Sequence, residues 1–230
     1  MLSCIPSSRF FRAYRLFPAI LLLLLPASLT AALCPRPRPK ANAEFFKVDS
    51  VFVGTVLSER IWGREEGWIY RLRVKRTFRG AARGIVAIYT EDNNAGLRLT
   101  TGEKYLLFAR RDEGHLLIDG CGNSGLASNS EAAIQEIEFI PKAGPYGEIE
   151  GHIRENISGV RFVARCGSKH FSAITDEDGW FRMRVPAGKC ELAPQSSNIL
   201  LSPDDLSYDD PDHFIVHRGG SAQFEYVTLN

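Results

Sequence analysis

The sequence predicts a mainly β protein, a small barrel with short helices followed by a β-sandwich. Three patterns predict this fold class. Short runs of β-branched and aromatic residues recur along the chain with turn residues between them. Several runs alternate apolar and polar side chains, as half-buried strands do. A segment dense in proline and glycine, residues 141–147, separates two groups of such runs, which indicates a linker between two domains.

Residues 1–32 predict a secretory signal peptide. An apolar core, residues 17–25, follows three arginines and ends at Pro26. The arginines are Arg9, Arg12 and Arg15. Small residues come next and predict cleavage after Ala32, which leaves an exported chain with no membrane contact. The alternative is an uncleaved membrane anchor, because the apolar run can be extended to Leu33, although the part before Pro26 is short for a span of about 20 residues.

The first group of strands predicts a domain over residues 33–140. Residues 34–40 alternate proline with other residues, which excludes a helix and predicts an extended start. Strands are expected at residues 51–56, 68–75, 84–90, 104–109 and 115–119. Ser128 and Glu131 have the spacing of a capping box and predict a short helix over residues 132–137. Strands at these intervals are typical of a small barrel or sandwich.

The second group of strands predicts a domain over residues 148–230. Its strands are expected at residues 148–153, 159–166, 169–175, 180–185, 189–192, 213–217 and 222–229. About seven short strands with frequent turn signals are typical of a β-sandwich. Gly179 is expected to supply the positive φ of a hairpin turn between two of them.

The charge of the chain is nearly balanced, with 28 lysines and arginines against 27 aspartates and glutamates. Without the three arginines of residues 1–32, the count is 25 against 27, a net charge of about −2. A nucleic-acid-binding protein would carry a basic surplus, so we expect no nucleic-acid partner. Cations do cluster along the second predicted strand and just after it, at Arg71, Arg73, Lys75, Arg76 and Arg79. A barrel can bind single strands through such a face, but export and the balanced charge favour a solvated face.

The chain has five cysteines, and cleavage after Ala32 removes Cys4. An even number then remains in an exported chain, which predicts two disulfides. The remaining cysteines are Cys34, Cys121, Cys166 and Cys190. The sequence alone permits three pairings. No CxxC pair is present, which argues against a redox motif and a zinc ribbon.

Short segments of the first domain resemble the tissue inhibitors of metalloproteinases. They are residues 48–56, Phe78-Arg79-Gly80, residues 102–109 and the late Cys121, and they follow the order found in that family. The resemblance covers roughly residues 34–140. It implies an OB-fold barrel, which netrin-type modules share.

Residues 147–193 resemble the carboxypeptidase regulatory-like domain, a transthyretin-like β-sandwich. The matching segments include residues 147–151 and residues 175–181. Residues 186–190 follow at the place where that family has a Pro-x-Gly-x-Tyr turn, with Cys190 at its end. The resemblance implies a binding or structural role.

The first resemblance also implies how the cysteines pair. Inhibitors of this family open with two cysteines separated by one residue, each bonded to a cysteine deeper in the barrel. Here Arg36 stands at the second position, and Ala95-Gly96 replaces the mid-domain Cys-Gly. Both halves of one bridge are therefore absent. The pairs that remain are Cys34–Cys121 and Cys166–Cys190.

The same resemblance implies an inhibitory contact at Cys34 and Pro35. In that family a free N-terminal cysteine chelates the zinc ion of a protease through its amino group and its carbonyl oxygen. Cleavage after Ala32 leaves Leu33 ahead of Cys34, which blocks this chelation, and Pro35 departs from the family's next residue. Inhibition of a metalloproteinase is therefore the alternative function.

Other chemically active residues fit structural roles better than catalytic ones. Ser124 lies in a glycine-rich turn that lacks the pattern of a serine nucleophile loop. Residues 176–179 are followed by Trp180 at the fifth position of a calcium loop, where a ligand is needed. His213 and His217 have no evident third ligand for zinc. Five aspartates form a predicted solvated loop, namely Asp204, Asp205, Asp209, Asp210 and Asp212.

We therefore expect an exported, disulfide-bonded binding or structural module, secreted or periplasmic, with a protein as its partner. No enzyme is expected, because no nucleophile–base pair and no set of metal ligands is evident. No cofactor or metal is expected.

Overall fold

Fourteen strands and two short α-helices make up the part of the chain that the structure describes. The structure is a computed structural model, and it describes residue 34 and residues 38–62, 67–91, 96–118, 120–202 and 210–229. The protein is mainly β, as predicted. No helix within these residues is long and apolar enough to cross a membrane.

Five strands of the first half close into a ring. The strands of this half are β1 Ser50–Trp62, β2 Gly67–Arg79, β3 Ile85–Glu91, β4 Lys104–Asp112, β5 His115–Leu117 and β6 Gly125–Leu126. The ring has the order β1-β2-β3-β5-β4, and β4 pairs with β1 again. Within it β3 and β5 are parallel, whereas the other neighbours are antiparallel. The short β6 pairs with β4 outside the ring.

The first strand closes the ring because it has a partner on each side. Its residues 50–55 pair with β4, and its residues 51–62 pair with β2. Three register shifts interrupt the pairing of β1 with β2. Such irregularities bend a strand and increase its twist, so one strand can turn far enough to meet both neighbours.

Both faces are buried over residues 51–56 of β1 and 105–109 of β4, which explains why these segments are largely apolar. Phe52 of β1 and Leu107 of β4 point into the barrel. Val51 and Phe108 point the other way and pack under two helices. The helices are α1 Ala41–Lys47 and α2 Glu131–Phe139.

The helix predicted over residues 132–137 is present as α2, but its predicted capping box is wrong. Ser130 occupies the N-cap of α2 and makes no side-chain capping bond, since its Oγ donates to the carbonyl oxygen of Leu126 at 2.8 Å. Ser128 lies outside the helix, in a 3-10 turn over Ala127–Asn129. This turn places Ser128 too early to reach the amide groups of the first helical turn.

The second half of the chain forms two sheets that enclose one apolar core. Its strands are β7 Tyr146–Ile153, β8 Arg161–Cys166, β9 Lys169–Ile174, β10 Trp180–Pro186, β11 Gly188–Pro194, β12 Ile199–Leu201, β13 Phe214–Val216 and β14 Ser221–Thr228. One sheet has the order β10-β7-β14-β12 and the other β13-β11-β8-β9. Phe162 and Phe181, from opposite sheets, stack in the core with their ring centroids 4.0 Å apart.

The turn at Gly179 connects the two sheets instead of forming the predicted hairpin. It joins β9 to β10, which belong to different sheets. Gly179 has the predicted positive φ, at 77°. The Asp176 carboxylate fixes the turn by accepting hydrogen bonds from the backbone N–H groups of Asp178 and Trp180.

The predicted linker is short and packed. Residues 140–142 form a 3-10 turn, and β7 already begins at Tyr146. The Arg218 Nε donates to the carbonyl oxygen of Ala143 at 3.0 Å. The Ala187 N–H donates to the carbonyl oxygen of Pro145, also at 3.0 Å. The barrel and the sandwich belong to one compact unit, Ala32–Asn230.

Candidate functional site

The four cysteines form the two disulfides that the resemblance implied. Cys34 is bonded to Cys121 and Cys166 to Cys190, with Cα–Cα distances of 5.2 and 4.2 Å. Cys166 and Cys190 lie directly opposite each other on the paired strands β8 and β11. All four sulfur atoms are therefore structural here.

Glu44 and Asn123 hold the loop that carries Cys121. The Glu44 Oε2 accepts hydrogen bonds from the backbone N–H and the side-chain amide of Asn123, both at 2.7 Å. The same amide donates to the carbonyl oxygen of Pro39 at 2.8 Å. The start of the barrel is thus fixed to this loop by hydrogen bonds as well as by the disulfide. Pro35, the other residue of the predicted inhibitory contact, lies outside the described residues.

The remaining predicted candidates do not come together as a site. The Ser124 Oγ is buried and accepts a hydrogen bond from the Phe108 N–H at 2.9 Å, which is a structural role. Exposed His213 lies 4.0 Å from the Asp210 carboxylate, whereas the His217 ring stacks on Phe46. Within the described residues no three His, Cys, Asp or Glu side chains are grouped to hold a metal ion. Asp204, Asp205 and Asp209 lie outside those residues.

A buried carboxylate joins the barrel to the sandwich. The side chain of Glu150, on β7, is only 4% exposed, and its Oε1 lies 2.5 Å from both the Lys40 Nζ and the Arg182 Nε. The Lys40 N–H donates to the Gln223 side chain on β14 at 2.8 Å. The residue that precedes α1 is therefore held by the outer face of a sandwich sheet.

A second carboxyl group at this junction is perturbed by its surroundings. Burial raises the pKa of Glu136, on α2, above the ordinary value for glutamate, and the nearby Glu150 adds to this effect. Hydrogen bonds from the backbone N–H groups of Ala41 and Asn42 and the charge of Lys40 act in the opposite direction. The charged groups of the junction are thus paired with groups of the same chain, and the junction is a contact between the barrel and the sandwich.

An apolar contact and a shallow cleft flank this polar junction. The Phe46 and His217 rings are parallel within 7°, with centroids 4.2 Å apart. Beside them a cleft of about 360 Å³ lies between α1 and the residues around β13. Its lining includes Lys47, Asp210 and His213. A cation beside a carboxylate does not indicate one class of ligand.

The predicted basic face divides into two parts. Arg76 forms a salt bridge with Glu138 of α2. The Arg79 Nε donates to the carbonyl oxygen of Val48 at 2.8 Å, and its guanidinium lies over the Phe45 ring. These two arginines attach helices to the barrel. Arg71 and Arg73 remain exposed on the outer face of β2.

The cross-strand neighbours of these two exposed arginines carry no charge. Arg71 lies between Ser58 of β1 and Ala87 of β3, and Arg73 lies between Thr55 and Ile85. Neither guanidinium has a hydrogen bond or salt bridge to another described residue. Their charge is therefore exposed to solvent and to any partner that meets this face.

Three aromatic rings cluster at the end of the same face. The Trp62 and Tyr89 ring centroids lie 5.3 Å apart in an edge-to-face arrangement, and His115 lies 4.3 Å from Tyr89. Gly67 lies opposite Trp62 of β1 and Glu91 of β3, and a Cβ there would collide with the Thr90 carbonyl oxygen. Arg60 is exposed beside the cluster. We call this surface the basic–aromatic face; it consists of Arg60, Trp62, Arg71, Arg73, Tyr89 and His115.

No protein-family model matches this chain, and no curated protein matches it either. The basic–aromatic face is therefore interpreted from its own chemistry.

Arg71 and Arg73 of this face were predicted from the sequence, whereas Arg60 and the aromatic cluster were not. Trp62, Tyr89 and His115 lie on three different strands, far apart in the sequence. Only the pairing of β1, β2, β3 and β5 brings them together.

Proposed function

We propose that this chain is an exported, non-catalytic binding module that recognises a protein partner through the basic–aromatic face. The observation that carries the proposal is the grouping of half-buried Trp and Tyr rings with exposed Arg side chains on one sheet face outside the junction. These three residue types contribute most of the binding energy in protein interfaces. The two disulfides and the predicted signal peptide support export.

The architecture supports the two resemblances on which this proposal also draws. A closed ring of five strands is what an OB-fold barrel of the inhibitor or netrin type requires. Two four-stranded sheets around one core are what a transthyretin-like sandwich requires. Both kinds of module serve binding or structural roles in the families that the chain resembles.

The test compares the parent chain with variants that each remove large aromatic side chains. The double variant Trp62→Ala/Tyr89→Ala alters the face. Trp180→Ala is the control, because Trp180 is 37% exposed and stacks on His152 in the sandwich, away from the face. Each immobilised chain is offered the exported proteins of the source organism, and a retained protein is purified for a binding titration. We expect the face variant to bind it about tenfold more weakly or worse. Equal affinity of all three chains for that protein would contradict the proposal.

A second candidate, inhibition of a metalloproteinase through Cys34, is favoured by one observation. Cys34 is disulfide-bonded to the barrel through Cys121, which is how the family holds its inhibitory residue in place. N-terminal sequencing of the exported chain decides whether its amino group is free. A mature chain that begins at Cys34 and blocks a purified zinc protease would establish inhibition, and one that begins at Leu33 excludes it.

A further inference from the structure

We infer that the basic–aromatic face binds an extended acidic segment of its partner, with carboxylates along β2 and an apolar side chain at the aromatic cluster. This inference rests on the proposed function and specifies the chemistry of the partner. Three properties of the face carry it, namely its unpaired charge, the spacing of that charge and the position of the aromatic rings.

The charge on this face differs from that of two strand arginines in the sandwich. In the sandwich, Arg165 pairs with Glu191 on the neighbouring strand, and Arg182 pairs with Glu150. In the barrel, Arg71 and Arg73 have only Ser, Thr, Ala and Ile as cross-strand neighbours. The chain without residues 1–32 is slightly acidic, so this local positive charge is not a general property of its surface. A partner of complementary charge is anionic.

The spacing of the two arginines fits a polypeptide. Residues two apart on a strand lie on the same face about 7 Å from each other, so Arg71 and Arg73 form a row with that repeat. An extended peptide places every second side chain on one face with the same repeat. Each guanidinium can then hold one carboxylate through two parallel hydrogen bonds. Alternate acidic residues are therefore the matching sequence.

The aromatic cluster defines the end of the segment. Ile69 precedes Arg71 by two residues on β2 and therefore lies on the same face. It pairs with Arg60 of β1 and Tyr89 of β3. Trp62 and Tyr89 meet at an interplanar angle of 84°, which forms an apolar corner. Nucleic-acid bases need open ring faces on which to stack, so this corner suits an apolar side chain better. The segment thus has acidic residues at one end and an apolar anchor at the other.

The test uses a synthetic peptide with glutamate at alternate positions followed by leucine and phenylalanine, titrated into the full exported chain. Arg71→Glu/Arg73→Glu is the test variant, and its neutral neighbours mean that no native ion pair is broken. Lys169→Glu/Lys189→Glu is the matched control, with the same change in net charge at exposed positions of the sandwich. We expect the dissociation constant to rise about tenfold or more in the test variant and to change little in the control. Binding should weaken between about 0.05 and 0.5 M salt.

The outcomes separate this inference from the proposed function. Equal binding of the peptide by the test variant and the parent overturns the inference. The inference is also overturned if the affinity for a partner protein depends on Trp62 and Tyr89 but not on salt, Arg71 or Arg73. That result would leave the proposed function intact. Tighter binding of a heparin oligosaccharide or a thymidine oligonucleotide than of any protein or peptide overturns both. Circular dichroism of every variant confirms that the comparison is between folded chains.

Discussion

At the scale of single residues, Glu150 is the charged group whose removal we expect to destabilise the junction most. Its carboxylate is almost closed to water and lies against two cations, Lys40 and Arg182. In Glu150→Gln the shape is kept, but Arg182 loses its counter-charge and Lys40 keeps only the more distant Glu148. Because the cations are themselves partly exposed, we expect a loss of about 2 kcal/mol in the free energy of unfolding. Urea denaturation measures it.

Glu148→Gln is the control for this prediction. Glu148 also approaches Lys40, at 3.7 Å, but its side chain is 38% exposed. Solvent screens such a pair, so the expected loss is below about 0.5 kcal/mol. Equal losses in the two variants would show that burial of Glu150 is not what makes its charge important.

Glu136 gives the junction a dependence on pH. Its pKa is raised in the folded chain because burial disfavours the charged carboxylate. The folded state therefore holds this proton to higher pH than the unfolded state does, and stability falls as the pH rises from the ordinary glutamate pKa through the raised one. Glu136→Gln is expected to remove this part of the decline. Urea denaturation of both chains across that window checks it, and parallel curves would contradict it.

These residue-level features were only partly predictable from the sequence. The role of the cysteines followed from their even number after the predicted cleavage and from the resemblance. Glu136 and Glu150 were not predictable, because their environment is made by β7, α2 and the segment at Lys40, which are distant in sequence. The capping box predicted at Ser128 was wrong for a local reason, because Ser128 lies in a 3-10 turn and the N-cap of α2 is Ser130.

At the scale of elements, the turn between β13 and β14 is the tightest part of the junction. Gly219 has a φ of 69°, and a Cβ placed there would lie 2.7 Å from the Ala143 Cβ. Gly167 has a similar φ of 61° with no atom within 4 Å of such a Cβ. The two glycines share the same backbone requirement and differ only in their neighbours.

We therefore expect Gly219→Ala to be more destabilising than Gly167→Ala. The left-handed conformation alone should cost each variant about 1–2 kcal/mol. Gly219→Ala should lose about 1–3 kcal/mol more, because the turn must move away from the barrel. Urea denaturation of both variants gives the difference. Equal losses would show that the junction yields easily at this turn.

Most strands were predictable as elements because their apolar patterns are local. The exceptions have physical reasons. α1 has seven residues, too few to show a helical period, and its stability comes from packing Ala41 and Phe45 on the barrel. β12 has three residues and is a strand only because β14 supplies its partner. The order of strands around the ring depends on pairing that no local pattern contains.

At the scale of the whole molecule, the two disulfides differ in how well they are protected. Cys166 and Cys190 are 9% and 2% exposed, whereas Cys34 and Cys121 are only half-buried. Thiolate attack requires access to a sulfur atom. We therefore expect mild reduction of the folded chain to open Cys34–Cys121 first. Alkylation followed by peptide mass mapping identifies the open bridge, and simultaneous opening of both would contradict the expectation.

One contact also decides the order in which the molecule is completed during synthesis. Lys40 and Gln223, which are hydrogen-bonded, are 183 residues apart. This contact can therefore form only after nearly the whole chain has been made. The ring can close earlier, because all its strands lie before Ile118. A chain that ends before β14 would thus contain a closed ring whose leading segment is held by Cys121 and Asn123 but lacks its contact with the sandwich. The final strand, β14, thus joins the start of the barrel to the sandwich.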